Sequence, residues 1–438
     1  MTSIAATVYT SQTFLIIHFR ASMPTPKKSQ KVNKTVSPKV VSKPKKTPVA
    51  PVVKKSAPAK KKDYAALALT LHKKFKGKIE VVSKGRLTTR DEWSTMYTPG
   101  VGAVSSHLAR KPGEARDYTI KHNTVAVISD GSAVLGLGNL GPVPALPVME
   151  GKCAIFKEMA NVDAFPLVLD VHDVDGIVAA VRAIAPTFGG INLEDIAAPQ
   201  CFAIEERLKK ELAIPVMHDD QHGTAIVVLA GLINAAKVVR KSLESLSVVI
   251  VGAGAAGRAV ALLLKRAGIA QLVVTDTKGA IYHGRPDLSG YKKELALVTN
   301  PDKKQGDVLT VVAGADVLIG VSGPGTIAPA HIAGMAKDAI VFALANPIPE
   351  IMPEDAKRAG AVVVATGRSD FPNQVNNSLA FPGIFRGALD RGVREITDDM
   401  KLAAAKKLAA LVKKPTADEI IPHVMTPGLT KAVASVIK

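Results

Sequence analysis

The chain has 438 residues, 47% of them apolar and 22% charged, with a formal net charge of +19. That length exceeds one ordinary small domain and supplies apolar side chains for two cores, which predicts two folded domains. With only two cysteines, Cys153 and Cys201, a disulfide framework and a cysteine-rich zinc site are excluded, and a reducing compartment, the cytoplasm, fits the composition.

The first 62 residues hold thirteen Lys, Arg20 and no acid. The remainder is nearly balanced, so the basic character belongs to a tail. That tail (SPKVVSKPKKTPVAPVVKKSAPAKKK) has too few large apolar side chains to offset the entropy of ordering, which predicts disorder over residues 1–62. Three roles stay open for it. A transit peptide for an organelle matrix would lack acids but favour Arg and an amphipathic helix, which the prolines forbid. A solvated tether making nonspecific anionic contacts is the second, and a tail without a partner the third. FLIIHF (14–19) is too short to span a bilayer, so no membrane association is expected.

Next in chain order, DYAALALTLHKKFKGKIEV predicts an amphipathic helix ending near Gly77 and a short strand around Ile79 to Ser83. TVAVISDGS (124–132) and AFPLVLDVHD (164–173) read as buried strands ending in polar loops, with the helix VMEGKCAIFKEMANV between them. This alternation predicts an α/β substrate domain over residues 63–220. A long apolar stretch from Gln221 to Ala236 should form the connecting helix. SVVIVGAG, QLVVTD, ADVLIGVSG, AIVFALANP and AVVVATG then predict a Rossmann-like, doubly wound parallel sheet within residues 221–438.

In that second half Gly252, Gly254 and Gly257 have the spacing G-x-G-x-x-G directly after a strand and opening a helix. The first permits a tight turn, the second lets the backbone approach a pyrophosphate, and the third lets helix and strand pack closely. Asp276 closes the next strand, nineteen residues after Gly257, where an acid accepts from ribose hydroxyls. A carboxylate there repels a 2′-phosphate, which favours NAD over NADP; Lys278, two residues on, weakens that preference. A second glycine loop, GVSGPGTI with Ser322, is placed to pass under the nicotinamide ribose.

The first half offers four polar candidates. Tyr97 precedes a Pro-Gly turn in YTPGVGAV, and Lys152 follows Gly151 at an expected helix start. There the helix dipole and burial would lower its pKa. Glu194 and Asp195 precede an apolar helix in INLEDIAAPQCF, and Asp219 and Asp220 stand side by side in PVMHDDQHGTA. Singly, each has a structural explanation: a half-buried turn tyrosine, a solvated lysine, two capped helix starts. Together, two acid pairs without a His or Cys cluster describe an oxygen-ligand site for Mg²⁺ or Mn²⁺.

The stretches YTPGV, SDGSAVLGLGNLGPVPALPVMEGK, LEDI, MHDDQHGTA, VGAGAAG, ANPIPE and FPNQVNNSLAFPGIFRGAL, in this order, resemble the malic enzymes of the short prokaryotic type, from about residue 70 to the C-terminus. The resemblance implies oxidative decarboxylation of L-malate to pyruvate and CO₂ with NAD or NADP, a divalent metal and a homodimer. It places the catalytic tyrosine on Tyr97, the catalytic lysine on Lys152, the metal carboxylates on Glu194, Asp195 and Asp220, and the lysine's partner on Asp219. It also implies substrate-binding amides at Asn346 and Asn377, with Asn376 next in line. Longer malic enzymes carry an arginine for the substrate carboxylate just before LGLG; this chain, like the short type, lacks it and has Ser132, Ala133 and Val134 there, so the carboxylate's cationic partner is not identified by the sequence.

Two other readings remain at this stage. Another Rossmann dehydrogenase, of amino or hydroxy acids, explains the glycines but not the acid pairs. A non-enzymatic protein tethered to nucleic acid by its tail would bind with steep salt dependence.

Overall fold

A computed structural model describes residues 63–438; the Lys/Pro-rich tail and its expected disorder lie outside the described residues. The β-branched runs form two sheets. The first takes β1 (Thr124–Ser129), β2 (Asp163–Val168), β3 (Gly190–Leu193) and β4 (Val216–His218), in the order β2-β1-β3-β4 and parallel throughout. The second takes β5 (Ser247–Val251), β6 (Gln271–Asp276), β7 (Gly279–Ala280), β8 (Val317–Gly320), β9 (Ile340–Ala343) and β10 (Val363–Thr366), in the order β10-β9-β8-β5-β6-β7. All five runs read as strands in this half are parallel neighbours, and only the two-residue edge strand β7 runs antiparallel.

The second sheet reverses direction at β5, which pairs with β6 on one side and β8 on the other. Such a switch point opens a crevice beyond the carboxyl ends of the two central strands, where doubly wound sheets bind ligands. The connecting helix Asp219–Val238 is buried nearly all round, as its continuous apolar composition demands. It belongs to a core that takes Val125 and Val127 from the first sheet and Ile250 and Val274 from the second.

Three expectations need correction. No strand forms around Ile79 to Ser83; Val81 and Val82 are exposed, and a strand without a neighbour to share its hydrogen bonds does not persist. The connecting helix begins at Asp219 itself, with His218 as its cap residue, so both aspartates lie in its first turn. Lys152 does not open a helix: it lies in the middle of the helix Pro142–Ala160, which starts two turns earlier than expected. Its prolines disguise the start. Pro142 is at the first helical position, where a missing N–H costs nothing, and Pro147 is accommodated inside.

Candidate active site

β3 and β4 are paired neighbours, with Leu193 opposite His218, so the chain leaves both strands at the same edge of the sheet. Glu194 and Asp195 follow the first, Asp219 and Asp220 the second, and the two acid pairs meet there. Glu194, Asp195 and Asp220 each bring a carboxylate oxygen within 4.8 Å of the others. Asp195 holds a left-handed backbone (φ 52°), uncommon for a side-chain-bearing residue. The turn is braced by its N–H donating to Asp220 Oδ2 (2.9 Å) and its carbonyl accepting from Ala133 (2.9 Å).

The helix Pro142–Ala160 supplies Lys152. Its Nζ donates to Glu194 Oε1 at 2.5 Å and to Asp219 Oδ2, and lies 4.3 Å from the centre of the Phe381 ring. Gly223 makes room for this pair, since a Cβ on it would come within 1.9 Å of Asp219 Oδ1. Burial alone would lower the Lys152 pKa, but the carboxylates of Asp219, Glu194 and Asp220 outweigh it and hold the amine above its ordinary value. The net shift is therefore upward, a direction that the sequence alone left open between burial and a neighbouring carboxylate.

Four carboxylates share one ammonium in this buried space. Burial and the neighbouring Asp220 and Glu194 push Asp195 up to about 8. Asp219 is pushed up to about 7 by burial and Glu194, against the pull of Lys152. Burial raises Glu194 and Asp220 as well. Asp195 Oδ2 and Asp219 Oδ1 are buried without a hydrogen-bond partner. An all-oxygen donor set with surplus negative charge and an orphaned carboxylate oxygen fits a hard divalent ion such as Mg²⁺ or Mn²⁺.

Lys152, Glu194, Asp195 and Asp220 line a cavity of about 810 Å³ that also takes in Asn346, Asn376 and Asn377. Asn376 is spent on local structure, accepting from Ser378 N (2.9 Å), while Asn346 makes one long bond to Leu344 O (3.4 Å). Tyr97 is not among the cavity's lining residues: it caps the short helix Arg90–Met96 and is 63% exposed. The structure thus gathers every candidate of this half except the tyrosine.

A second cavity, about 440 Å³, adjoins the first at Gly254 and Ser322 and is lined by Gly252, Asp276 and Lys292. The three glycines divide their tasks as their spacing predicts. A Cβ on Gly252 (φ 117°) would meet Val321 O at 2.4 Å, and one on Gly257 would meet Gly252 O at 1.9 Å. At Gly254 nothing lies within 4 Å, which leaves an approach for a pyrophosphate. Asp276 is not a bare charge. It accepts from Arg285 Nη2 (2.9 and 3.0 Å) and Lys292 Nζ (2.7 Å); burial raises its pKa, but these bonds outweigh it and the net shift is downward. The expected repulsion of a 2′-phosphate is therefore largely cancelled.

One group escapes a reading of motifs. Glu205, buried on the helix Gln200–Glu211, accepts from His218 N (3.1 Å), Gln221 Nε2 (3.1 Å) and His222 Nε2 (3.0 Å), gripping the chain on both sides of Asp219 and Asp220. The signal is an acid within the buried stripe Cys201, Ile204, Glu205, Leu208.

Known proteins share this architecture. Residues 76–209 match the family description "Malic enzyme, N-terminal domain" and residues 221–436 match "Malic enzyme, NAD binding domain". The chain is 55% identical over 374 residues to a bifunctional malic/malolactic enzyme of Bacillus subtilis, covering 84% of this chain and 91% of that one. It is 48% identical over 359 residues to an NADP-dependent malic enzyme of Halomonas elongata, covering 81% and 84%. The crystal structure of an NAD-dependent malic enzyme from Thermotoga maritima superimposes with a TM-score of 0.82 at 46% identity, over 85% of this chain and 98% of that one. The chain belongs to the malic enzymes, oxidoreductases dependent on NAD or NADP.

Proposed function

We propose that the protein converts L-malate to pyruvate and CO₂ while reducing NAD⁺ or NADP⁺, with Mg²⁺ or Mn²⁺ held by Glu194, Asp195 and Asp220. The buried Lys152, bonded to both acid pairs at the edge of the cofactor crevice, is the observation that carries this reading. When bound, the metal supplies Lewis-acid polarisation of the substrate oxygens and the dinucleotide accepts the hydride. Everything else falls to the chain. Lys152 as an ammonium is set to protonate an enolate oxygen, and as the free amine it is the base for the C2 hydroxyl, with Asp219 bonded to its nitrogen and fixing its direction. Asn346 and Asn377 orient the substrate carboxylates without adding a buried charge.

Tyr97 protonates C3 in this scheme, and we assign it to the site of a second copy. From Asp63 to Asn123 no side chain is buried, and Val81, Val82 and Trp93 are 78%, 73% and 51% exposed. Apolar surface on that scale marks a contact face, and a homodimer packed through this face covers it and brings each Tyr97 to the other copy's site. Among the described residues no helix is long and apolar enough to cross a membrane. The two free, buried cysteines fit a cytoplasmic setting.

The test is absorbance at 340 nm with purified protein, L-malate, Mn²⁺ and either NAD⁺ or NADP⁺, with EDTA as control. Metal-dependent reduction with pyruvate as product is expected; a folded, Mn²⁺-binding protein that reduces neither cofactor would sink the malate reading.

A further inference from the structure

The substrate cavity is rich in acids and short of cations. A malate dianion entering it needs a positive partner besides Lys152, which is already held by Glu194 and Asp219. One other lysine lines this cavity, Lys78. It sits in the irregular segment after the helix Tyr64–Phe75, just before the stretch where a strand was expected, and two bonds fix it to the helix that carries Lys152. Its backbone N–H donates to Glu150 Oε2 (3.2 Å) and its Nζ donates to the carbonyl of Pro147 (2.6 Å). Pro147 and Gly151 are one helical turn apart, and a Cβ on Gly151 would stand 3.4 Å from the Lys78 nitrogen. The ammonium therefore lies against a side-chain-free patch immediately before Lys152.

This cation is unsatisfied in a specific sense. A carbonyl takes one of its donor directions and no carboxylate lies within ion-pair distance of it among the described residues. Burial pulls its pKa down, and Glu150, which acts from a distance, offsets this only in part. A partly desolvated ammonium facing a substrate cavity with donors to spare binds an anion by charge-assisted hydrogen bonds. His72 is the other basic group on the wall, and its Nδ1 is tied to the Ala68 carbonyl at 2.7 Å.

The reaction decides which carboxylate it serves. The departing carboxylate must give up its charge to leave as neutral CO₂, and a cation fixed to it would stabilise the ground state more than the transition state. The retained carboxylate is charged in substrate and product alike. We infer that Lys78 binds the carboxylate retained in pyruvate, as the cationic partner that the Ser132–Ala133–Val134 stretch does not provide. This inference rests on the malate reading above.

The experiment compares wild type, Lys78→Met and Lys78→Arg in both directions, malate oxidation and reductive carboxylation of pyruvate, with Mn²⁺ affinity and the KM for the dinucleotide as internal controls. Loss of a charge-assisted hydrogen bond should raise KM on the order of tenfold to a hundredfold for malate and for pyruvate alike in Lys78→Met, with kcat and both controls nearly unchanged. Lys78→Arg should recover most of that loss. An unchanged malate KM in Lys78→Met overturns the inference, as does a rise for malate without one for pyruvate, or a fall in kcat alone. If Lys78→Met does not fold, Lys78→Gln keeps a donor for Pro147, drops only the charge and is read in the same way. An inactive wild type would instead refute the malate reading itself, so the two failures are told apart.

Discussion

Two acidic sites in this molecule lie at the ends of parallel strands and meet opposite fates. Asp276, the last residue of β6, is embraced by Arg285 and Lys292, and its carboxylate is stabilised as an anion. Glu194, Asp195, Asp219 and Asp220, after β3 and β4, share only Lys152, and Asp195 and Asp219 are driven up to about 8 and 7. Equal residue types at equal topological positions thus become a neutralised hydrogen-bond acceptor in one case and an incomplete site in the other. The compensated acid is finished by the chain itself; the uncompensated cluster is left to the divalent ion that the proposed function assigns to it.

The sharpest way to break this contrast is to remove one acid from the crowded site. Asp220→Asn should weaken Mn²⁺ binding by more than about a hundredfold, since ligands matter more than the outer partners whose loss costs about ten- to a hundredfold, and malate turnover should fall with it. The same substitution relieves repulsion in the metal-free protein, so its thermal midpoint in EDTA should rise. Calorimetric Mn²⁺ titration and melting curves check both halves; unchanged metal affinity would remove Asp220 from the ligand set.

The pH dependence of stability comes next in size. Carboxyls whose pKa is raised by folding favour the folded state while protonated, and that contribution is lost as pH climbs through the raised values. Metal-free protein should therefore become less stable between about pH 4 and pH 8, the window set by Asp195 and Asp219. Excess Mn²⁺ should flatten the trend. Melting curves across that range, with EDTA and with Mn²⁺, measure the difference, and a flat profile in EDTA would mean that the cluster is compensated after all.

The smallest effect is expected at the compensated acid. Asp276→Ser frees Arg285 and Lys292, so NAD⁺ binding should lose only a few-fold in KM, while the kcat/KM ratio of NADP⁺ to NAD⁺ should rise by about tenfold or more, the worth of a new charge-assisted contact. Steady-state kinetics with both cofactors reads the shift; a preference that does not move would place the ribose away from Asp276.

The second sheet was legible because each of its buried strands writes a short β-branched run, and because Gly252, Gly254 and Gly257 each answer a separate steric demand within six residues. Both acid pairs were legible as adjacent residues and, by their chemistry, as one oxygen-ligand site; what joins them in space is the pairing of β3 with β4, which no local pattern encodes. The helix of Lys152 was mis-started because Pro147 looks like a stop, and whether a proline is tolerated depends on packing that no local pattern encodes. Asp276 was recognised, but its neutralisation by Arg285 and Lys292 depends on side chains brought back by the following loop and helix. Glu205 and Lys78 were out of reach for the same reason: their meaning lies in what faces them.

Gly223 carries no functional group, yet its missing side chain is what lets Asp219 reach Lys152. Substitution there would thrust a methyl group into the carboxylate and turn it from the amine without touching metal, dinucleotide or substrate. In a saturation screen this position would be intolerant of every replacement and so resemble a reactive residue. The steric reading separates the two cases: a reactive side chain is irreplaceable for what it contributes, and this glycine for the volume it leaves empty.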